Sequence, residues 1–434
     1  MTDGHVPATK PVEVGSTPNT STTRTPAQPS NAWLRTVAAL RHPNYRLWFL
    51  GQLVSLVGTW MQITAQSFLV FELTHSTAYL GYVGFANGIP SWLFMLYGGV
   101  IADRVARRKL LVMTQSTMLL LAFILAALAF AQLVQPWHIV LLALALGTAN
   151  AFDAPAAQAF VFELVDREDV TNAIALNATL FNLATVVGPT VAGLTYAAFG
   201  AAWCFALNGV SFLGVITALL LMRLPPPALA PRVQSAFAQL SEGVRYTLTH
   251  PLLRMLIAVP AVTALFGMTY ATLLPAWAIE VLGGDATANG LLQSARGAGS
   301  LLGALMIAAL GHTLRRGRLL AIGTVVYPAL LLVFAAVQWL PLSMAVLVGV
   351  GWGGMVLFNS ANTLVQSHVP DELRGRVMAI FSLTFFGGMP LGALWAGPLA
   401  DLIGAPLTVA VSALVLLGFA VFFWLRAQHV RRLT

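Results

Sequence analysis

What most limits the fold of this chain is a succession of twelve apolar segments, at about 47–71, 78–102, 110–135, 137–158, 171–199, 201–222, 252–279, 288–311, 319–338, 340–362, 376–400 and 405–425. Each reaches the roughly 20 residues that a helix needs to cross the hydrocarbon of a bilayer. A backbone in lipid must satisfy its own hydrogen bonds, which a long continuous run does as a helix. The shorter alternating runs of a membrane barrel are not seen. Only 9% of the 434 residues are charged and 58% are apolar, whereas a soluble domain carries about 25% charged residues. An ordinary soluble enzyme is thereby excluded. The expected fold is an all-α integral membrane protein with twelve transmembrane helices.

The few charges are unevenly placed. With the N-terminus in the cytoplasm, 22 of the 23 Lys and Arg residues fall in inside loops and tails, and Arg296 is the exception. This bias predicts cytoplasmic termini in a plasma (bacterial inner) membrane. It also accounts for the net charge of +8 without a nucleic-acid partner. Lys10 precedes Pro11 and Lys109 precedes Leu110, so neither can be the lysine of a phosphate loop. The lone Cys204 forms no intramolecular disulfide, and no cofactor or metal site is expected.

The longest inside connection, 223–251, opens with Leu224-Pro225-Pro226-Pro227 and contains a stretch at 234–249 with helical apolar spacing, expected along the membrane surface. It separates two halves that repeat each other. A shift of 209 carries Gly81, Gly88, Ser91 and Arg107 onto Gly290, Gly297, Ser300 and Arg316. A shift of 204 carries Glu168, Gly188, Gly193 and Gly200 onto Glu372, Gly392, Gly397 and Gly404. The organisation predicted is a disordered tail (1–31), a six-helix bundle (32–222), a linker (223–251), a second six-helix bundle (252–426) and a short tail (427–434). Paired repeats of this kind mark secondary transporters, with a solute site between the halves.

Residues 98–109 read GGVIADRVARRK, which matches the signature loop of the major facilitator superfamily. The chain resembles that superfamily over nearly all its length after residue 40. HPNYRLWFLGQ (42–52), ELVDREDVTNAIALN (163–177) and VPDELRGRVMAIFSL (369–383) resemble its bacterial drug- and siderophore-exporter branch, that of the transmembrane secretion effectors. The resemblance implies two pseudo-symmetric six-helix bundles rocking about a central site. It also implies that Gly99, Asp103, Arg104, Arg107 and Arg108 latch the halves on the inner side against the start of the eleventh segment, at Gly375 and Arg376. The alternative is a basic loop that only sets topology. The second copy, at 311–318, has His312 where the aspartate would be, so its latch is expected to be weaker.

Gln52, Ser55, Thr59, Gln62 and Gln66 follow steps of 3, 4, 3 and 4 and share one face of the first segment. Five polar groups cannot face lipid cheaply, so this face meets either a wet cavity or another helix. Asn182, Thr185, Thr263 and Tyr270 are further cavity candidates, and Trp60 and Trp352 could stack on a solute or pack in the core. Gly188, Pro189 and Gly193 are expected to bend the fifth segment; the resemblance associates this pattern with antiporters, and kinked packing alone is the alternative. Asp153 either carries a coupling proton or pairs with the signature-loop arginines. Arg296, placed near the outer end of the eighth segment, binds an anion, pairs with Glu280 or Asp285, or reaches the interface.

These residues point to a monomeric secondary transporter that exports hydrophobic or amphipathic small molecules by alternating access, by proton antiport if the resemblance holds. A nutrient importer of the same fold is the alternative. An intramembrane enzyme is remote, since all eight histidines lie in tails, loops or segment ends and no H-E-x-x-H is present.

Overall fold

The computed structural model describes Thr2 and residues 37–224, 236–310 and 315–426, without the side chains of 95, 96, 98–100, 102–104, 236–240 and 310. The expected tails therefore lie outside the described residues. The six helices of the first half are α1 (Pro43–Thr74), α2 (Thr77–Arg104), α3 (Arg107–Phe130), α4 (Pro136–Leu164), α5 (Val170–Phe199) and α6 (Ala201–Leu221). A short helix, α7 (Ala236–Thr249), follows. The second half contains α8 (Pro251–Val281), α9 (Ala286–Leu310), α10 (Arg316–Ala336), α11 (Leu340–His368), α12 (Asp371–Ile403) and α13 (Ala405–Arg426). The seventh to twelfth segments are thus α8 to α13. Eleven of these helices are long and apolar enough to cross a membrane, and α2, with 28 residues, is the twelfth.

Local chemistry sets the ends. Proline opens α1, α4 and α8, where its missing N–H costs nothing. Gly200 and Gly404 adopt φ of +84° and +85° between α5 and α6 and between α12 and α13. This left-handed turn is why the two repeats share a glycine there. α8 is irregular: Pro260 interrupts its hydrogen bonding, and π-turns occupy Thr263–Gly267 and Trp277–Val281. The Tyr327 hydroxyl donates to the Gly267 carbonyl at 2.8 Å, satisfying an acceptor at the π-turn.

Each half has its own apolar core. In the second half Trp277 stacks on Phe334 with ring centroids 4.3 Å apart; in the first, Trp48 meets Phe160 edge-on. Leu50, Val54, Leu194, Leu220, Leu305, Leu414 and Val421 are exposed, a distribution that only lipid makes favourable. The halves meet along two seams, α2 against α12 and α5 against α9. α7 packs on α12 and α8.

Candidate functional site

Alternation of helix direction puts the arginine-rich connections at one end of the bundle, here the basic end. At the opposite end both seams are shut by backbone-to-backbone contact. A β-carbon added at Gly81 would stand 2.5 Å from the Ala393 carbonyl oxygen, and one at Gly397 would stand 2.5 Å from that of Thr77. In the second seam, Gly290 would meet the Pro189 carbonyl at 2.4 Å and Gly193 that of Ala286 at 2.7 Å, and at mid-length Gly297 would meet that of Thr185 at 2.4 Å. Only glycine permits this approach. The repeated glycines therefore face each other in pairs, Gly81 on Gly397 and Gly290 on Gly193.

The repeat also holds within the halves. Ser91 Oγ donates to the Gly147 carbonyl and Ser300 Oγ to that of Gly351, both at 3.4 Å. Gly147 lies against Asn87 as Gly351 lies against Arg296, with added β-carbons 2.1 Å from the carbonyl oxygens. Gly147 and Gly351 were open to sequence reasoning through the same shift of 204.

The polar face of α1 is divided. Gln62 is 3% exposed and its Oε1 accepts from Asn208 Nδ2 at 2.7 Å. Gln66 is buried beside the Ile139 carbonyl, and Ser55 is buried too. The correction for these three is that they sit inside the first half against neighbouring helices, because a lone amide or hydroxyl in a membrane interior takes the nearest partner. Gln52 and Thr59 are half-exposed. At 100° per residue they lie roughly 140–200° around α1 from the exposed Leu50 and Val54. Asn182 donates to its own helix, at Ala178. Thr185 and Thr263 are buried, and Tyr270 is corrected likewise: at 3% exposed it is enclosed by the second half's core. Trp60 packs edge-on against Phe181 and under Gly188, and the Trp352 backbone lies against Gly303.

Gly188 and Gly193 bracket Pro189 inside a continuous α5. Gly188 admits α1 on one side and Gly193 admits α9 on the other, so both are sites of close approach. A groove of about 580 Å³ runs between α1 and α6 along Leu50, Val54, Gly58, Leu207, Val210 and Gly214, and its lining is almost wholly apolar.

Two ionisable groups are placed differently from expectation. Asp153 Oδ1 lies 2.6 Å from Thr114 Oγ1 and 3.1 Å from Gln115 Nε2, and among the described residues no arginine is bonded to it. The Thr114 hydroxyl also has the carbonyls of Leu110 and Leu111 at 3.1 Å. One hydroxyl proton cannot serve three acceptors. Arg296 is at mid-length in α9, not near its end, because the helix starts at Ala286 and continues to Leu310. Its charge bears on the phenols of Tyr270 and Tyr327, and among the described residues no carboxylate bonds it, Glu280 and Asp285 included. Asp285 instead caps its own helix at Ala288 N, 3.1 Å away.

At the basic end the described side-chain contacts stay within the first half or run from α12 to α7. α2 runs on to Arg104, and the side chains of Asp103 and Arg104, with the surroundings of Gly99, lie outside the described residues. Arg107 pairs with Glu163 at 2.7 Å and Arg108 donates to the Leu220 carbonyl at 2.9 Å, both inside the first half. Arg376 pairs at 2.6 Å with Glu242 of α7, a partner that sequence reasoning missed. A β-carbon at Gly375 would meet nothing within 4 Å. The Arg376–Glu242 pair ties α12 to α7, and the expected contact of Arg376 with the 98–109 loop falls on side chains outside the described residues. At this end Asp169 accepts from Arg41 Nη2 at 2.7 Å and lies 2.7 Å from His42 Nε2, which hold its carboxyl below the usual range.

Residues 34–432 match the family model described as transmembrane secretion effector. An enterobactin exporter, EntS, of Shigella flexneri is 27% identical over 405 residues, covering 92% of this chain and 96% of that one. The enterobactin exporter of Salmonella typhi is 26% identical over 406 residues, with the same coverage. Among solved structures, a bacterial homologue of the human lysosomal transporter Spinster superposes with a TM-score of 0.70 at 14% identity, over 89% of this chain and 97% of that one. The nucleoside transporter NupG superposes with a TM-score of 0.71 at 14% identity, over 88% and 98%. These two share the fold.

Proposed function

From the premise that this chain belongs to the transmembrane secretion effector family, we propose that it moves an amphipathic, aromatic or anionic small molecule outward across the bacterial inner membrane by proton antiport. It is a membrane transporter with the major facilitator fold, not an enzyme. The basic end is taken as cytoplasmic, since that assignment obeys the positive-inside rule. The state described is then closed outside.

The observation that carries the reading is the pair of glycine seams, shut by backbone contact at the end opposite the basic one. Such seams can part at that end while others close, which is what alternating access requires. Gln52 and Thr59 line the path from the first half. Arg296, charged at mid-membrane and without a carboxylate partner among the described residues, receives an anionic or catechol-like group from the second. The enterobactin exporters among the relatives favour this substrate class. Asp103 and Arg376 form the inner latch when the molecule opens outward, replacing the Arg376–Glu242 pair.

The coupling proton is assigned to Asp153. With the proton on the carboxyl, Asp153 donates to Thr114 Oγ1, and that hydroxyl donates to a backbone carbonyl, which resolves the crowding of acceptors. Efflux of a catecholate from proteoliposomes, measured with and without an inward proton gradient, tests the reading. Gradient-driven efflux that Asp153→Asn abolishes is expected. Accumulation of a labelled nutrient, with no efflux of any catecholate or dye, would replace export with import.

A further inference from the structure

We infer that Asp401, with Ser76 and Thr77, forms an outer latch that holds the transporter closed to the outside. α2 has no side-chain cap of its own at Ser76. The cap comes from the other half: Asp401, in the last turn of α12, accepts from the Thr77 N–H at 2.5 Å, the Thr77 hydroxyl at 2.6 Å and the Ser76 hydroxyl at 2.6 Å. Thr77 Oγ1 also lies 2.7 Å from the Gly397 carbonyl. A carboxylate at a helix N-terminus is stabilised by the unpaired N–H groups and by the helix dipole. This one joins the halves where they must separate for the molecule to open outward.

The sequence carries a matching device at the other end of the same seam. α2 ends on Gly99-Val100-Ile101-Ala102-Asp103 and α12 ends on Gly397-Pro398-Leu399-Ala400-Asp401. Both read Gly-x-(Ile/Leu)-Ala-Asp. The two helices run antiparallel, so each pentad brings an aspartate to the end of the seam where its neighbour begins. The glycine of the outer copy lies against the Thr77 carbonyl and Gly81, which brings Asp401 to the start of α2. Burial pushes the Asp401 carboxyl up, but its hydrogen bonds from Ser76, Thr77 and the backbone of Thr77 and Ala78 outweigh this and hold it below the usual range. The latch is therefore a charged one, broken when Asp103 captures the start of α12 on the inside. This division of labour rests on the transport reading; the contact itself does not.

The test uses the full chain with Cys204→Ser, a buried position, and spin labels on cysteines replacing the exposed Leu73 and Leu402, reconstituted in lipid nanodiscs. Asp401→Asn is expected to raise the long-distance, outward-open population about three- to tenfold. Asp401→Glu, which keeps the charge, restores most of the short distance, and Asp103→Asn shifts the population the opposite way. An unchanged distribution in Asp401→Asn, or equal effects of Asn and Glu, would overturn the latch. Should Asp401→Asn fail to insert, Thr77→Val removes the hydroxyl and keeps the backbone N–H: a smaller shift in the same direction supports the latch, and none refutes it. The distances need no substrate. A shift in a protein that exports nothing would sink the transport reading and leave the latch standing.

Discussion

The α2–α12 and α5–α9 seams are related by the internal repeat and are closed by equivalent glycines, yet they are secured differently. In the first, a carboxylate from one half caps a helix of the other. In the second, the equivalent cap is local, because Asp285 binds its own helix at Ala288, and the position matching Asp401 is Ala197. What crosses that seam is a chain of hydroxyls, Thr190 Oγ1 to Ser294 Oγ at 2.8 Å and Ser294 Oγ to the Val186 carbonyl at 2.6 Å. One repeat can thus hold a charged clasp beside a neutral hinge. On the latch proposed above, one set of charge-assisted hydrogen bonds governs opening at the first seam while the second slides on small residues.

The comparison breaks most readily through steric bulk. Gly297→Leu places a side chain against the Thr185 backbone, which cannot yield, so outer closure and efflux should be lost, with transport falling by about tenfold or more. Gly84→Ala on the other seam meets the Ala393 β-carbon at 2.9 Å and Thr272 Cγ2 at 3.9 Å, so α2 and α12 must part by a few tenths of an ångström and the loss should be smaller than that of Gly297→Leu. Equal loss in both would show that the seams are not distinguished by backbone contact.

A second effect concerns the rigid half behind the seams. Asn208→Leu removes the donor to the buried Gln62 carbonyl oxygen and should cost about 1–3 kcal/mol, read as a lower unfolding temperature in detergent. Gln62→Leu combined with Asn208→Leu should recover part of this loss. If the double variant is no better than the single, the pair is not a buried hydrogen bond of the kind described.

The charged and neutral seams should differ in pH response, with a smaller effect. Asp401 is held below the ordinary carboxylate range, so its contribution is complete above the unfolded carboxylate value of about 3.9 and is lost only as pH falls through its lower folded value. Glu280 is in electrostatic reach of Asp401, and His75 is in reach of Glu280. The Leu73–Leu402 spin-label distance should therefore stay flat between about pH 8 and 5. A transition in that range would assign outer opening to a different titrating group. Smallest of all, Glu242→Gln frees Arg376 from a half-exposed pair, worth about 0.2–1 kcal/mol, and should slightly raise the outward-open fraction at the basic end.

Much of the molecule was legible in its sequence because membrane insertion leaves few choices. Apolar length compels helices, so the twelve spans followed from counting. Of the glycines matched by the repeat, Gly81, Gly88, Gly193, Gly290, Gly297 and Gly397 are seam contacts, while Gly188 and Gly392 admit a helix of their own half and Gly200 and Gly404 serve turns. The site was less legible. The spacing of Gln52 to Gln66 identified a polar face, but a helical face can meet a neighbour or a cavity, and only the packing of α6 claimed Gln62 for Asn208. Arg296 was misplaced because its segment was started two residues late and its loop partners were judged by nearness in sequence. Glu242 carries no spacing or motif signal by which sequence reasoning would single it out, and Asp401 is marked only by the match of its pentad to that of Asp103.

By itself, the sequence determined the helix count, the twofold repeat, the basic end and the positions where backbones must touch, since each follows from local composition and from the cost of polar groups in lipid. The tertiary structure alone decided which polar groups bond one another, which end of each seam is shut and which half supplies the cap on α2. Those are contacts between residues as much as 325 apart, and no local rule of spacing encodes them.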